Sequence, residues 1–315
     1  MAAVRGPRAA AIGAIVWLGV IAWQRPSPFD VEWGAALLLF AALVLVPLAL
    51  DLAAPSDAND ERAGLWRAIH LLRLPAALLL TAAFLLQPGL LAASLALPWM
   101  GTTSLVSLAA LHRAWRRGAL PLADLCVDAG LVYLVVGGGW TLLDRAGARP
   151  LQFSPIIVLL TAVHFHYAGL LLPLLTGLAL RARRSTGVVG WAAGGAVIAG
   201  VPLVAMGITA AQRGAGGRVE AIAACVLAAG GLLCCGLHLQ LAADRSRPPL
   251  ARIFWLIAAM ALAIGMPLAV AYGMREYWPS AALDIAWMRA LHGTTNALGF
   301  GVAGVLGWTC ARGAR

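Results

Sequence analysis

The chain has 315 residues, 62% of them hydrophobic and 11% charged, with a formal net charge of +10. A soluble domain of this length carries roughly a quarter charged residues, so a soluble globular protein is excluded, and no polar stretch is long enough to hold a soluble domain beside the apolar ones. The positive balance does not point to nucleic acid, because all 23 basic residues are arginines set in short segments between apolar runs, where membrane topology requires them.

A membrane-crossing helix needs about twenty apolar residues at 1.5 Å rise each. Ten runs meet or approach that length: 9–23, 34–51, 68–87, 89–111, 119–143, 155–180, 185–208, 219–242, 251–274 and 281–310. The first follows Arg5 and Arg8 and resembles a signal sequence, but no Ala-x-Ala site follows it, so it is expected to stay as a helix. Gln87-Pro88-Gly89 reads as a tight hairpin between the third and fourth runs. The loop Asp57-Ala58-Asn59-Asp60-Glu61-Arg62 reads as a solvated acidic turn. Trp99, Trp115, Trp140, Trp278 and Trp308 fall near expected interfaces, as belt anchors do. Cys126, Cys225, Cys234, Cys235 and Cys310 lack metal-type spacing and read as small buried hydrophobes.

With the N-terminus placed in the cytoplasm, the inner segments hold fifteen arginines and the outer segments six. That asymmetry predicts an all-α polytopic transmembrane bundle of ten spans, both termini cytoplasmic, forming one integral membrane domain over 1–315.

The sixth run carries His164-Phe165-His166-Tyr167 and the tenth carries His292-Gly293-Thr294-Thr295-Asn296. Polar groups in hydrocarbon cost free energy unless they are paired or used. Counting from the outer ends, His164, His166 and His292 fall roughly 13, 16 and 16 Å along their helices, and Tyr133 roughly 15 Å along the fifth. Helical spacing sets His164 and His166 on nearly opposite sides, so they are not a two-histidine chelate, whereas His164 shares a face with Tyr167, and His292 with Asn296 and Gly299. Imidazole at this depth serves proton transfer or metal ligation. Asp124 and Asp128, one turn apart in the fifth run, offer an ion or proton path, with Arg73 as an expected partner. Arg289, one turn before His292, is able to reach Asp284 or to hold an anionic headgroup. His70, His112 and His238 read as interfacial, and Glu220 and Glu276 as solvated.

At these residues the chain resembles the YndJ-like family of bacterial polytopic membrane proteins. The resemblance rests on His164-Phe165-His166-Tyr167-Ala168-Gly169 leading into Leu172-Pro173-Leu174-Leu175. Its second part is His292-Gly293 with Asn296-Ala297-Leu298-Gly299-Phe300, leading to Leu306-Gly307-Trp308. It implies a layout and no particular reaction. Locally, Ala162-Val163-His164-Phe165-His166-Tyr167 is also similar to the haem-ligating helix of haem–copper oxidase catalytic subunits, in which two such histidines ligate two different haems. The chain lacks the further histidines of such a centre.

Taken together, the residues lead to an integral membrane enzyme acting on a hydrophobic or lipid-like substrate by isomerisation, cyclisation or hydrolysis. His164, His166 and His292 are its expected acid–base groups, or the ligands of a single transition metal if one binds. Asn296 and Tyr167 would orient the substrate, and Tyr133, Arg289 and Thr295 would contact it. A proton-coupled permease using Asp124, Asp128 and Arg73, and a haem or copper redox protein, are the alternatives. Membrane lipid and a hydrophobic small molecule are the expected partners, nucleic acid is not, and the oligomeric state stays open.

Overall fold

The computed structural model describes residues 6–54, 63–118, 121–183, 186–214, 217–279 and 283–313; the acidic loop at 57–62 lies outside them. The described residues form ten helices and no strand. In chain order these are α1 (Gly6–Gln24), α2 (Val31–Ala53), α3 (Ala63–Phe84), α4 (Leu90–Arg117), α5 (Leu122–Arg145) and α6 (Pro155–Arg181). Then follow α7 (Gly187–Gln212), α8 (Arg218–Ala243), α9 (Pro249–Gly273) and α10 (residues 285–313). Among the described residues, α1 to α9 are long and apolar enough to cross a membrane. In α10 the run from Arg289 to Asn296 dilutes the apolar residues.

The contacts divide the chain into two compact units. One takes α1 to α4, the C-terminal part of α5 from Leu131 and the N-terminal part of α6 to Leu170. The other takes the remaining parts of α5 and α6, all of α7 to α10, and the segment Pro28–Asp30.

In the first unit α2 is the central helix. It is apolar on every side and therefore buried on every side. Pro47 interrupts it, and the turn before the proline, Ala41–Leu45, widens to π-helix. A proline cannot bond the carbonyl four residues back and its ring presses on that oxygen, which here belongs to Leu43. The displaced oxygen faces α1 at Gly13, where a Cβ would lie only 2.1 Å from it. Neighbouring carbonyls of α2 are taken by side chains of other helices. Trp17 donates its indole N–H to Ala36 (2.7 Å), Tyr167 its hydroxyl to Leu37 (2.8 Å), and Arg73 its guanidinium to Pro47 (2.9 Å). Arg73 is buried and also meets Asp51 of α2 at 2.8 Å, while the second oxygen of that carboxylate accepts the N–H of Gly6 at 2.7 Å. Removing Asp51 would take from a buried guanidinium a carboxylate that it meets at 2.8 Å, a costly change. Within this unit the carboxylate that meets Arg73 is Asp51, a partner that sequence reading did not offer, and His70 also approaches it at 3.5 Å.

The second unit packs α7 on α8, α8 on α9 and α9 on α10, each along small residues. A Cβ on Gly230 of α8 would lie 3.0 Å from the backbone nitrogen of Val197, and one on Gly299 of α10 would lie 2.6 Å from Cβ of Ala261. Such close approach of backbones is how helices associate where lipid offers no hydrophobic drive. At one end of the α8–α9 pair, Arg275 grips Glu220 through two bonds of 2.7 and 2.9 Å and lies over the Tyr272 ring. Glu220 is therefore buried and paired, not solvated. Glu276 accepts the N–H of Gly217 at 2.7 Å. At the opposite end Asp244 accepts from the backbone and hydroxyl of Ser246 and from Arg247, closing the α8–α9 turn.

Candidate functional site

Three helices contain π-turns, and two of the π-runs have an evident cause. The runs Ala41–Leu45 in α2 and Phe165–Leu171 in α6 each end two residues before a proline, Pro47 and Pro173. The third, Met288–Gly293 continued by Thr295–Gly301 in α10, is the longest, and α10 contains no proline. Wide turns without a proline to force them mark functional positions more often than ordinary helix does.

On this run His292, Asn296 and Gly299 all turn to α9. His292 Nδ1 lies 2.9 Å from the carbonyl oxygen of Gly265. A carbonyl opposite a ring nitrogen at that distance requires a proton between them, so the hydrogen-bond network assigns the proton to Nδ1 and leaves the lone pair on Nε2. Asn296 donates its carboxamide N–H to the carbonyl of His292 at 2.8 Å, and the same nitrogen lies 3.2 Å from Nδ1 and 3.4 Å from Nε2 of the ring. Gly265 makes room for this arrangement: a Cβ there would lie 2.6 Å from the Asn296 carboxamide nitrogen. His292, Thr295 and Asn296 remain partly exposed. The flanking side chains are open to the apolar surroundings, Ile264 at 55%, Leu291 at 43% and Leu298 at 38%.

Arg289 is buried on the same run and donates to the carbonyl of Phe29, whose ring meets Trp287 edge-on at 4.8 Å. Asp284 caps the start of α10 by accepting the Trp287 N–H at 2.8 Å.

His166, in the first unit, is a different case. Its residue exposure is 0%, Nδ1 meets the Ala162 carbonyl at 2.8 Å, and Nε2 accepts the indole N–H of Trp99 at 3.1 Å. The rings stack at 15°. Both nitrogens are occupied, so His166 has no lone pair left for a metal or a substrate proton. Trp99 is therefore a buried donor and not a belt anchor, and Trp308 is buried as well. Tyr167 spends its hydroxyl on Leu37. His164 is partly exposed and meets Phe165 edge-on, and Tyr133 meets the other side of the same ring at 6.4 Å.

In the second unit Asp124 is held by Arg181, Nε at 2.7 Å and Nη2 at 2.5 Å, and Asp128 is buried. His238 was expected at an interface; it is fully buried, with Nδ1 3.0 Å from the Cys234 carbonyl and its ring edge-on to Phe300. Among the described residues no three His, Cys, Asp or Glu side chains come together as a metal site. Asp51, Trp99 and Gly265 were missed from the sequence. Asp51 ends an apolar run and could have been noticed as a third intramembrane carboxylate; Gly265 carries no sequence signal.

A model of the family described as YndJ-like protein matches residues 36–300. The chain is similar to the uncharacterized membrane protein YndJ of Bacillus subtilis (strain 168), 27% identical over 300 residues. That match covers 94% of this chain and 52% of the relative, so the chain spans about half the length of the curated relative it matches. No solved structure matches.

Proposed function

The chain belongs to the YndJ-like protein family and is a multi-pass protein of the cell membrane, and from that premise we propose that it is a membrane enzyme using His292 as the proton acceptor for a lipid-phase substrate. One observation carries this reading. The Nδ1–H···O=C bond to Gly265 fixes the imidazole tautomer and leaves Nε2 as the basic nitrogen of a partly exposed residue, with the Asn296 carboxamide nitrogen 3.4 Å away. A base oriented by a second hydrogen bond is the arrangement from which general-base catalysis works. Asn296, one turn on, steadies the ring and sets the polarity beside it. The exposed Ile264, Leu291 and Leu298 make the hydrocarbon layer the route of approach, which favours a lipid-like substrate over a water-borne one. Base-initiated isomerisation, cyclisation and hydrolysis each use such a proton removal.

The test compares lipid extracts of cells producing the wild-type chain, His292→Ala and His166→Ala, by untargeted mass spectrometry, with each variant first shown to be monodisperse and inserted. The wild type is expected to deplete one lipid species and raise another. His292→Ala should reduce that conversion by about 10²–10⁴-fold, the usual contribution of a general base. Unchanged conversion by His292→Ala, or no conversion by the wild type, sinks the reading.

A further inference from the structure

The polarity of the α9–α10 site selects what can bind there. His292 Nδ1–H is committed to the Gly265 carbonyl at 2.9 Å. The Asn296 carboxamide nitrogen is committed to the His292 carbonyl at 2.8 Å and lies 3.2 Å from Nδ1 and 3.4 Å from Nε2, so its second hydrogen is turned to the imidazole ring. This orientation of the carboxamide is fixed, because a carbonyl oxygen accepts only from the nitrogen side. What the pair leaves to offer a ligand is acceptors and no donor: Asn296 Oδ1, and Nε2, where the long 3.4 Å carboxamide contact yields to a better-placed hydroxyl. A ligand presenting a carbonyl, ester or phosphate oxygen would set lone pair against lone pair, and a group left in that state in an apolar medium costs about 1–3 kcal/mol or more. A hydroxyl donates its proton to such a site and pairs it. None of His292, Asn296 and Gly265 carries the negative charge that would favour an ammonium.

We propose that this site seats the hydroxyl group of a neutral membrane-resident alcohol, of the diacylglycerol or long-chain alcohol type, entering between Ile264, Leu291 and Leu298. This rests on the reading of His292 as the substrate-facing base, and it names the class of substrate that base meets. Selection is by donation: the alcohol binds, its capped counterpart does not.

The experiment uses the purified full chain in lipid nanodiscs and a long-chain alcohol bearing a photoreactive diazirine. Cross-linking is displaced in turn by dioleoylglycerol, by its O-methyl ether and by dioleoylphosphatidic acid. The expected result is a label on residues 285–313, displaced by dioleoylglycerol at a concentration at least about tenfold lower than by the ether or the phosphatidic acid, since a site built to pair a hydroxyl rejects analogues lacking it. Asn296→Leu should erase that preference while leaving the protein monodisperse. If it does not fold, the wild-type series still decides. Equal displacement by alcohol and ether, stronger displacement by phosphatidic acid, or no label in α10 overturns the inference. The series needs no turnover. An intact alcohol preference with no lipid conversion would therefore sink the catalytic reading alone, whereas conversion without the preference would sink this inference alone.

Discussion

His166 and His292 share a residue type and an apolar setting, and their hydrogen bonds separate them. His166 gives Nδ1 to Ala162 and takes the Trp99 N–H on Nε2, so its ring is a structural link across the first unit. His292 gives Nδ1 to Gly265 and keeps a lone pair at a partly exposed position. The difference makes a prediction that leaves chemistry out. His166→Ala should lower the stability of the detergent-solubilised protein by about 2–5 kcal/mol, through the lost ring volume and the orphaned indole donor. Adding Trp99→Phe should cost clearly less than it does alone, because the donor it removes is already unpaired. Additive losses in thermal unfolding would contradict the link. Gly137 belongs to the same cluster: a Cβ there would sit 2.8 Å from His166 Nδ1, so Gly137→Ala is expected to destabilise as well, by about 1–3 kcal/mol. Both histidines were visible in the sequence, since imidazole in an apolar run stands out. Their different fates were not, because they are set by Trp99 and Gly265, which lie 67 and 27 positions away.

Prolines decide the shape of single helices here, and they were legible. Pro47 and Pro173 each follow a π-turn by two residues. In α2 the partner at Leu43 is an absence, the missing Cβ of Gly13. Gly13→Leu is therefore expected to lift α1 from α2, raising backbone amide exchange in α1 by at least about tenfold while α7 to α9 stay protected; unchanged protection of α1 would refute this. What the sequence hid at this scale is the α10 π-run. Its register is written in no proline, and an ordinary α-helical count places His292, Asn296 and Gly299 on one face without showing how widely the turn opens. The existence and order of all ten helices followed from run length alone, because hydrocarbon thickness leaves a spanning segment little freedom.

Among the described residues the charged side chains work mainly at helix ends, as arginine counting requires, while Arg73, Asp128 and Arg289 are buried farther in. The pairings escaped the sequence because they depend on which helix ends become neighbours: Glu220 with Arg275, Asp124 with Arg181, Asp144 with Arg145. The turn between α8 and α9 gives a pH-dependent case. Hydrogen bonds from Ser246 and then from Arg247 hold the Asp244 carboxyl below its ordinary value of 3.8. Its contribution is present above that value and is lost as pH falls through the lowered one. Amide exchange at Ser246, corrected for intrinsic rates, should hold steady down to about pH 4 and then accelerate, and Asp244→Ala, which removes the acceptor, should show the accelerated rate throughout. A flat wild-type profile would discount the cap. The anchoring of α1 has a further consequence, for the order in which the protein is built. Each hydrogen bond described for docking α1 leads to α2, at Asp51 or Ala36, as does the notch over Leu43, and Asp51 in turn takes its counter-charge from Arg73 of α3. During synthesis the first helix thus enters the bilayer before its docking surface exists, the second brings that surface together with the Asp51 carboxylate, and the third adds the Arg73 guanidinium that meets it. The seat of α1 is therefore complete only once three helices have entered, and the N-terminal trio is expected to settle later than its position in the chain suggests.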